Sequence, residues 1–293
     1  MSSGKEVRSK IKSVQSTRKI TKAMEMVAAS KMRRAQDRMR ASRPYSQKIV
    51  GMLSSVMSTQ PEYVPKLMRN SSQVKKVAVI VISTDKGLCG GLNTNLFRVL
   101  VNKLKVYEQQ GIQTYMSVFG NKGLSFLDRL GLPVLTKFVH MGDAPSLDQI
   151  FAAASPVIAL FEAGEIDRVD ICYSKFINTM RQEAIIEQLL PVLPGGLPNK
   201  ESKKEHEYSF SYIYEPKDVS VIDDMMVRYV DSVIYQSILD SLASEQSARM
   251  VAMKAASDNA KDILSSLQLT YNKLRQASIT RELSEIVGGA AAV

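Results

Sequence analysis

The 293-residue sequence predicts an α/β chain: a long antiparallel coiled coil of the N- and C-terminal helices, plus a central doubly wound α/β domain. Three observations predict it. Both ends are nearly free of helix breakers and carry apolar residues at heptad spacing. The middle alternates β-branched segments with helical ones. The formal charge of +10 is confined to one end, since residues 1–60 hold 14 Lys and Arg against Glu6, Glu25 and Asp37, a local balance of +11.

The first element, residues 1–60, contains only Pro44 and Gly51 as breakers from Lys5 onward. Val7, Ile11, Val14, Arg18, Thr21, Glu25, Ala28, Met32, Ala35 and Met39 advance in alternating steps of four and three, a coiled-coil seam with polar members at 18, 21 and 25. The spacing resumes at Ile49, Leu53 and Val56. The ring of Pro44 is expected to bend or interrupt the helix near Ser42–Arg43.

Residues 75–215 form the globular part. Strands are predicted at Lys76–Ser83, Thr114–Phe119, Val134–His140 and Val169–Phe176, with helices at 92–110, 121–130 and 146–163 between them. This alternation implies a mainly parallel, Rossmann-like sheet. Two further strands, Glu183–Val192 and Tyr208–Tyr214, flank a Pro/Gly/Lys-rich loop at 194–205.

The last element, 217–293, has neither Pro nor Gly from Lys217 to Val287, and Gly288-Gly289 are expected to stop it. Ile222, Met226, Tyr229 and Val233 make one stripe. Leu242, Gln246, Arg249, Met253, Ala256, Ala260, Ile263, Leu267, Thr270 and Leu274 continue it. About 70 helical residues span roughly 105 Å, against about 80 Å for the first helix. Because the globular part lies between them in the chain, paired helices run antiparallel and the last overhangs the first. The overhang carries Leu267, Leu269, Tyr271, Leu274, Ile279, Leu283, Ile286 and Val287 around its circumference, an apolar tip that requires a partner to sheathe it.

Composition removes several classes. The best apolar run, Val77 to Ile82, is far too short to span a membrane, and the N-terminus lacks the apolar core of a secretory signal. The chain is expected to be soluble, without a targeting segment. Two cysteines, Cys89 and Cys172, make no disulfide framework and suit a reducing compartment as small core residues.

Catalytic and cofactor chemistry finds little support. Lys86-Gly87-Leu88-Cys89-Gly90-Gly91 lies between a strand and a helix but matches neither GxGxxG nor GxxxxGK[ST]. A tight turn explains it better than a nucleotide site. His140 and His206 lack companions at metal-ligand spacing, and no nucleophile–base motif is present. No metal and no cofactor are expected. The basic first helix permits a nucleic-acid reading through clusters such as Lys31-Met32-Arg33-Arg34. The interleaved Met24, Met26, Val27, Met32 and Met39 suit packing on another helix instead, and a basic surface moving past acidic protein segments remains a further reading.

Four motifs carry a resemblance. Ile20-Thr21-Lys22-Ala23-Met24-Glu25-Met26-Val27-Ala28-Ala29-Ser30-Lys31-Met32 resembles the N-terminal signature of gamma subunits of bacterial F-type ATP synthases. Ser83-Thr84-Asp85-Lys86-Gly87-Leu88-Cys89-Gly90-Gly91-Leu92-Asn93 is similar to their central motif. Ala243-Ser244-Glu245-Gln246-Ser247-Ala248-Arg249-Met250 and Tyr271-Asn272-Lys273-Leu274-Arg275-Gln276-Ala277-Ser278-Ile279-Thr280 resemble the C-terminal helix.

That resemblance implies a non-catalytic rotor shaft, one copy per complex, on the cytoplasmic face of the bacterial membrane. Its implied partners are the alpha and beta subunits of the catalytic hexamer, the epsilon subunit and the c-ring. It places Met24, Arg249, Gln276, Thr280 and Glu282 against the catalytic head, although Arg249, like Gln246, also fits a register-setting seam position. Lys22, Lys31, Arg33 and Arg34 become a basic shaft face toward an acidic segment of the beta subunits. Arg43, Pro44 and Tyr45, with Tyr212, Ile213 and Tyr214, become the contact with the membrane ring and epsilon. Basic coiled-coil binding to nucleic acid stands as the alternative function.

Overall fold

The computed structural model describes residues 4–59, 65–71, 73–192 and 218–290. The predicted strand Tyr208–Tyr214, the loop 194–205 and the candidates Tyr212, Ile213 and Tyr214 lie outside the described residues, as does the side chain of Arg43. Two compact units are present: Met1–Ala29 with Arg249–Val293, and Ser30–Ala248.

The second unit is built on a five-stranded sheet: β1 (Lys76–Ile82), β2 (Gln113–Phe119), β3 (Val134–Phe138), β4 (Arg168–Phe176) and β5 (Gln182–Leu190). Its order is β3-β2-β1-β4-β5; all neighbours are parallel except the β4–β5 hairpin. The crossovers are α2 (Leu92–Gln109), α3 (Asn121–Leu130) and α4 (Leu147–Glu162). All five strands and three helices match the sequence expectation to within two residues.

Buried β1 shows why the sheet needs two covers. Successive side chains point to opposite faces. Val77, Val79 and Val81 join Leu96 and Leu100 of α2 and Leu127 of α3 in one core. Ala78, Ile80 and Ile82 join Ile150 and Val157 of α4 in the other. The sheet is therefore doubly wound. The second core also contains Ile49 and Leu53 of α1 (Gly4–Thr59) and Met226, Val230, Ile234 and Ile238 of α5 (Asp218–Ala290). Burying each such side chain contributes about 1.5–3 kcal/mol.

Pro44 does not interrupt α1, which continues to Thr59. Hydroxyls on either side of the proline reach α5: Ser42 Oγ donates to Gln236 Oε1 at 3.0 Å, and Ser46 Oγ lies 2.6 Å from Ser232 Oγ. With apolar burial at Ile49 and Leu53, these contacts offset the backbone bond that the ring removes. The pairs 42–236 and 46–232 run in opposite senses, so α1 and α5 are antiparallel here.

In the first unit Val7 and Ala28 are buried, and Ile11, Val14, Thr21 and Glu25 are half-buried. Arg18 is the exception among the expected seam positions and is exposed. Thr21 donates to Arg18 O at 3.1 Å, and Glu25 receives Lys22 Nζ at 3.0 Å, so both polar seam residues have partners. On α5 the seam departs from expectation beyond Met253. Ser257, Ala260 and Leu264 are buried and Leu267, Tyr271 and Leu274 half-buried, whereas Ile263 is 51% exposed. The four-three alternation is kept but enters in the opposite phase. α5 also runs through Gly288-Gly289 to Ala290 rather than stopping. Glycine costs a helix only about 1 kcal/mol relative to alanine, too little to force a stop by itself.

Candidate functional site

The central motif is a clasp between strands. Ser83 Oγ receives Gly123 N at 2.7 Å and lies 3.0 Å from Phe119 O, to which it donates. Gly120 has φ +94°, and a Cβ there would fall 2.3 Å from Ser83 O, so only glycine fits. The Asp85 carboxylate accepts from three backbone amides: Asn121 at 3.1 Å, His140 at 3.0 Å and Met141 at 2.9 Å. Asn93 Nδ2 donates to Thr84 Oγ1 at 2.7 Å. The motif's polar groups thus join the ends of β1, β2 and β3, which supports the turn reading over a phosphate cradle. Glycine spacing alone did not reveal this; the signal lay in Ser83 and Asp85, whose side chains suit unpaired loop amides.

The root of α5 is pinned by serines that sequence reasoning passed over. Ser241 Oγ accepts from Ser174 N at 3.2 Å, and Ser244 Oγ donates to Ser174 O at 3.0 Å. Ser247 Oγ donates to Thr179 O at 2.6 Å and receives Gln182 Nε2 at 3.2 Å. The recurrence of small hydroxyl residues at 237, 241, 244 and 247 was the available sign, since one helix face repeats every three to four residues. α1 is held as well: Lys31 Nζ lies 2.7 Å from Asp143 Oδ2, and Arg38 donates to Asp143 O. Both long helices are therefore hydrogen-bonded into the sheet unit.

The predicted site residues have diverse settings. Met24 is half-buried, and Arg249 is 9% exposed with partners of its own. Gln276, Thr280 and Glu282 are exposed; Glu282 receives Ser278 Oγ at 3.1 Å. From Arg275 to Gly288 every residue is exposed, including Ile279, Leu283, Ile286 and Val287. Of the basic face, Lys22 is paired with Glu25 and Lys31 with Asp143, while Arg33 and Arg34 are exposed. Pro44 is exposed and Tyr45 is 54% exposed.

Among the described residues no group of three metal-ligating side chains occurs, and no helix is long and apolar enough to cross a membrane. Cys89 and Cys172 are buried and free. Burial, then the nearby charge of Asp170, pushes the Cys172 thiol up to about 12, so it is unreactive near neutrality. Asp170 is fully buried, receiving Arg168 Nε at 2.7 Å and the Tyr107 hydroxyl, a structural use of a buried carboxylate.

Fold and site together define a class: long paired helices rooted in a doubly wound sheet, with conspicuous apolar and basic surfaces. Comparison with known proteins resolves it further. The ATP synthase family matches residues 3–293. The ATP synthase gamma chain of Ralstonia nicotianae is 53% identical over 293 residues, and that of Cupriavidus necator 52%, each covering all of both chains. A chain in the Tetrahymena thermophila mitochondrial ATP synthase central stalk and c-ring structure is 27% identical, with TM-score 0.59 over 81% of this chain and 99% of that one. One in the Euglena gracilis mitochondrial enzyme shares the fold at TM-score 0.67 and 21% identity, over 99% of this chain and 94% of that one. The chain belongs to the family of ATP synthase gamma chains.

Proposed function

We propose that this chain is the central-stalk rotor subunit of an ATP synthase, coupling rotation of a membrane c-ring to ATP synthesis and hydrolysis on the beta subunits. It is non-catalytic: the chemistry belongs to its partners, the alpha and beta subunits, with epsilon and the c-ring at the other end. Family membership over the full length carries this reading. The pinned helices support it mechanically, because torque passes between a shaft and its base only through a rigid element. Ser174 with Ser241 and Ser244, and Asp143 with Lys31 and Arg38, supply fixed links of that kind.

Within that reading, segments 1–60 and 217–293 form the shaft and 75–215 the base. Exposed Gln276, Thr280 and Glu282, with Met24 and Arg249, engage the catalytic head. Arg33 and Arg34 lead the basic face toward the beta subunits, with Lys22 and Lys31 held partly by internal pairs. Pro44 and Tyr45, with Arg43, Tyr212, Ile213 and Tyr214, face the ring and epsilon. The chain works at the cytoplasmic face of a bacterial membrane as a peripheral component.

Charge reversal by Arg33→Glu with Arg34→Glu tests the basic face without touching either internal ion pair. ATP-driven ion pumping by the assembled complex falls while the isolated chain melts as before; unchanged pumping refutes the assignment. Binding to nucleic acid has no support among the relatives. Tight, salt-sensitive DNA binding by a chain that never joins catalytic subunits would restore it.

A further inference from the structure

A concavity of about 750 Å³ opens in the sheet unit among α1, α4 and α5. Its apolar walls are Tyr45, Leu147, Phe151, Val227 and Tyr235. Its charged lining comes from α5 alone: Asp224, Arg228 and Asp231, which with Tyr235 fall at helical spacing on one face. Two carboxylates against one guanidinium leave the lining with a net charge of −1. Its two serine hydroxyls are already engaged, Ser42 with Gln236 and Ser232 with Ser46.

Asp231 is half-buried, and no hydrogen bond or ion pair within 4 Å holds it among the described residues. A carboxylate taken partly out of water without a partner is costly, and a ligand that neutralises it recovers that cost. An anion would meet two carboxylates. Among the described residues no group of three or more metal-ligating side chains gathers here, so the groove offers a hard metal ion no ligand cage. A neutral apolar ligand would leave Asp231 further desolvated. Aromatic faces beside a carboxylate instead suit a cation with an apolar body, and the volume lies in the range of small-molecule sites.

We propose that this groove binds a lipophilic organic ammonium ion, with the ammonium against Asp231 and the apolar body against Phe151 and Tyr235. Burial raises Asp231 to about 6 while Arg228 pulls it down. The other titratable groups of the lining are Tyr45 from α1 and Asp224, Arg228 and Tyr235 from α5, whereas α4 contributes only apolar side chains. The carboxylate must be ionised to bind, so affinity rises with pH from about 5 to 7.

The test uses the full chain and benzyltrimethylammonium, followed by calorimetry and ligand-observed NMR, with benzoate as the anionic control. Saturable binding of the cation is expected, absent for benzoate, weakened at pH 5 and weakened about tenfold in Asp231→Asn, a factor worth about 1.4 kcal/mol. Phe151→Ala weakens it as well. Equal affinity for Asp231→Asn and wild type, equal binding of benzoate, or no saturable binding of the cation each overturns the proposal. If the cation fails to bind and Tyr45 is covered by another subunit in the assembled complex, the groove is a protein-docking surface instead.

Discussion

Asp240 lies on α5 with 9% of its surface exposed, and no hydrogen bond reaches it among the described residues. Burial raises its carboxyl to about 6; Lys175 opposes the shift and Glu187 adds to it. A raised carboxyl favours the protonated form in the folded state. Its contribution to stability is therefore complete below the unfolded value near 4 and is lost as pH rises through about 6. Asp240→Asn removes that loss, so urea unfolding at pH 7 shows a gain of about 1–3 kcal/mol that vanishes near pH 4. Gly120 makes the opposite prediction. Gly120→Ala drives a Cβ to 2.3 Å from Ser83 O at a positive φ, and both effects destabilise. A loss of about 2–4 kcal/mol is expected in the same measurement, with nothing recovered at low pH.

At the scale of elements, the sequence made the sheet legible because its central strands β1 and β4 are buried apolar runs, and because strand-sized and helix-sized segments alternate with glycines at several of the joins. The long helices were legible from periodicity, but not their finer setting. A seam that repeats every three and four residues has two phases, and Ile263 and Leu264 are adjacent apolar residues, so either phase reads well from sequence alone. Packing chose Leu264. Leu264→Ala is expected to cost about 2–4 kcal/mol in the thermal unfolding of the chain, and Ile263→Ala within about 0.5 kcal/mol; the reverse order would restore the original phase. Pro44 leaves α1 uninterrupted for a related reason. Its local cost is visible in sequence, whereas Gln236 and Ser232, nearly 200 positions away, supply the compensation. The serine pins at Ser241, Ser244 and Ser247 escaped because a buried hydroxyl on a helix resembles a solvated one until its acceptor is known.

Across the molecule, the charge and apolar asymmetries point to different neighbours. Of the excess of +11 in residues 1–60, Lys31 is answered from outside that segment by Asp143, whereas Arg33 and Arg34 stay exposed together with Arg8, Lys12, Arg18, Lys19 and Arg40. The exposed apolar residues at the end of α5 have no such internal use. Ile279, Leu283, Ile286 and Val287 are 44–68% exposed, and together they offer a sheath several kcal/mol at about 25 cal/mol per Å². If the tip turns inside the catalytic head, affinity follows these side chains and not the residues beyond them. Removing residues 288–293 then leaves assembly nearly intact, whereas cutting back to Leu267 also removes the four apolar residues and Gln276, Thr280 and Glu282, and lowers both assembly and ATP-driven pumping. Reconstitution with purified alpha and beta subunits measures the first, and acidification of vesicles the second. Equal losses from the two truncations would show that the tip's apolar surface makes no bearing contact.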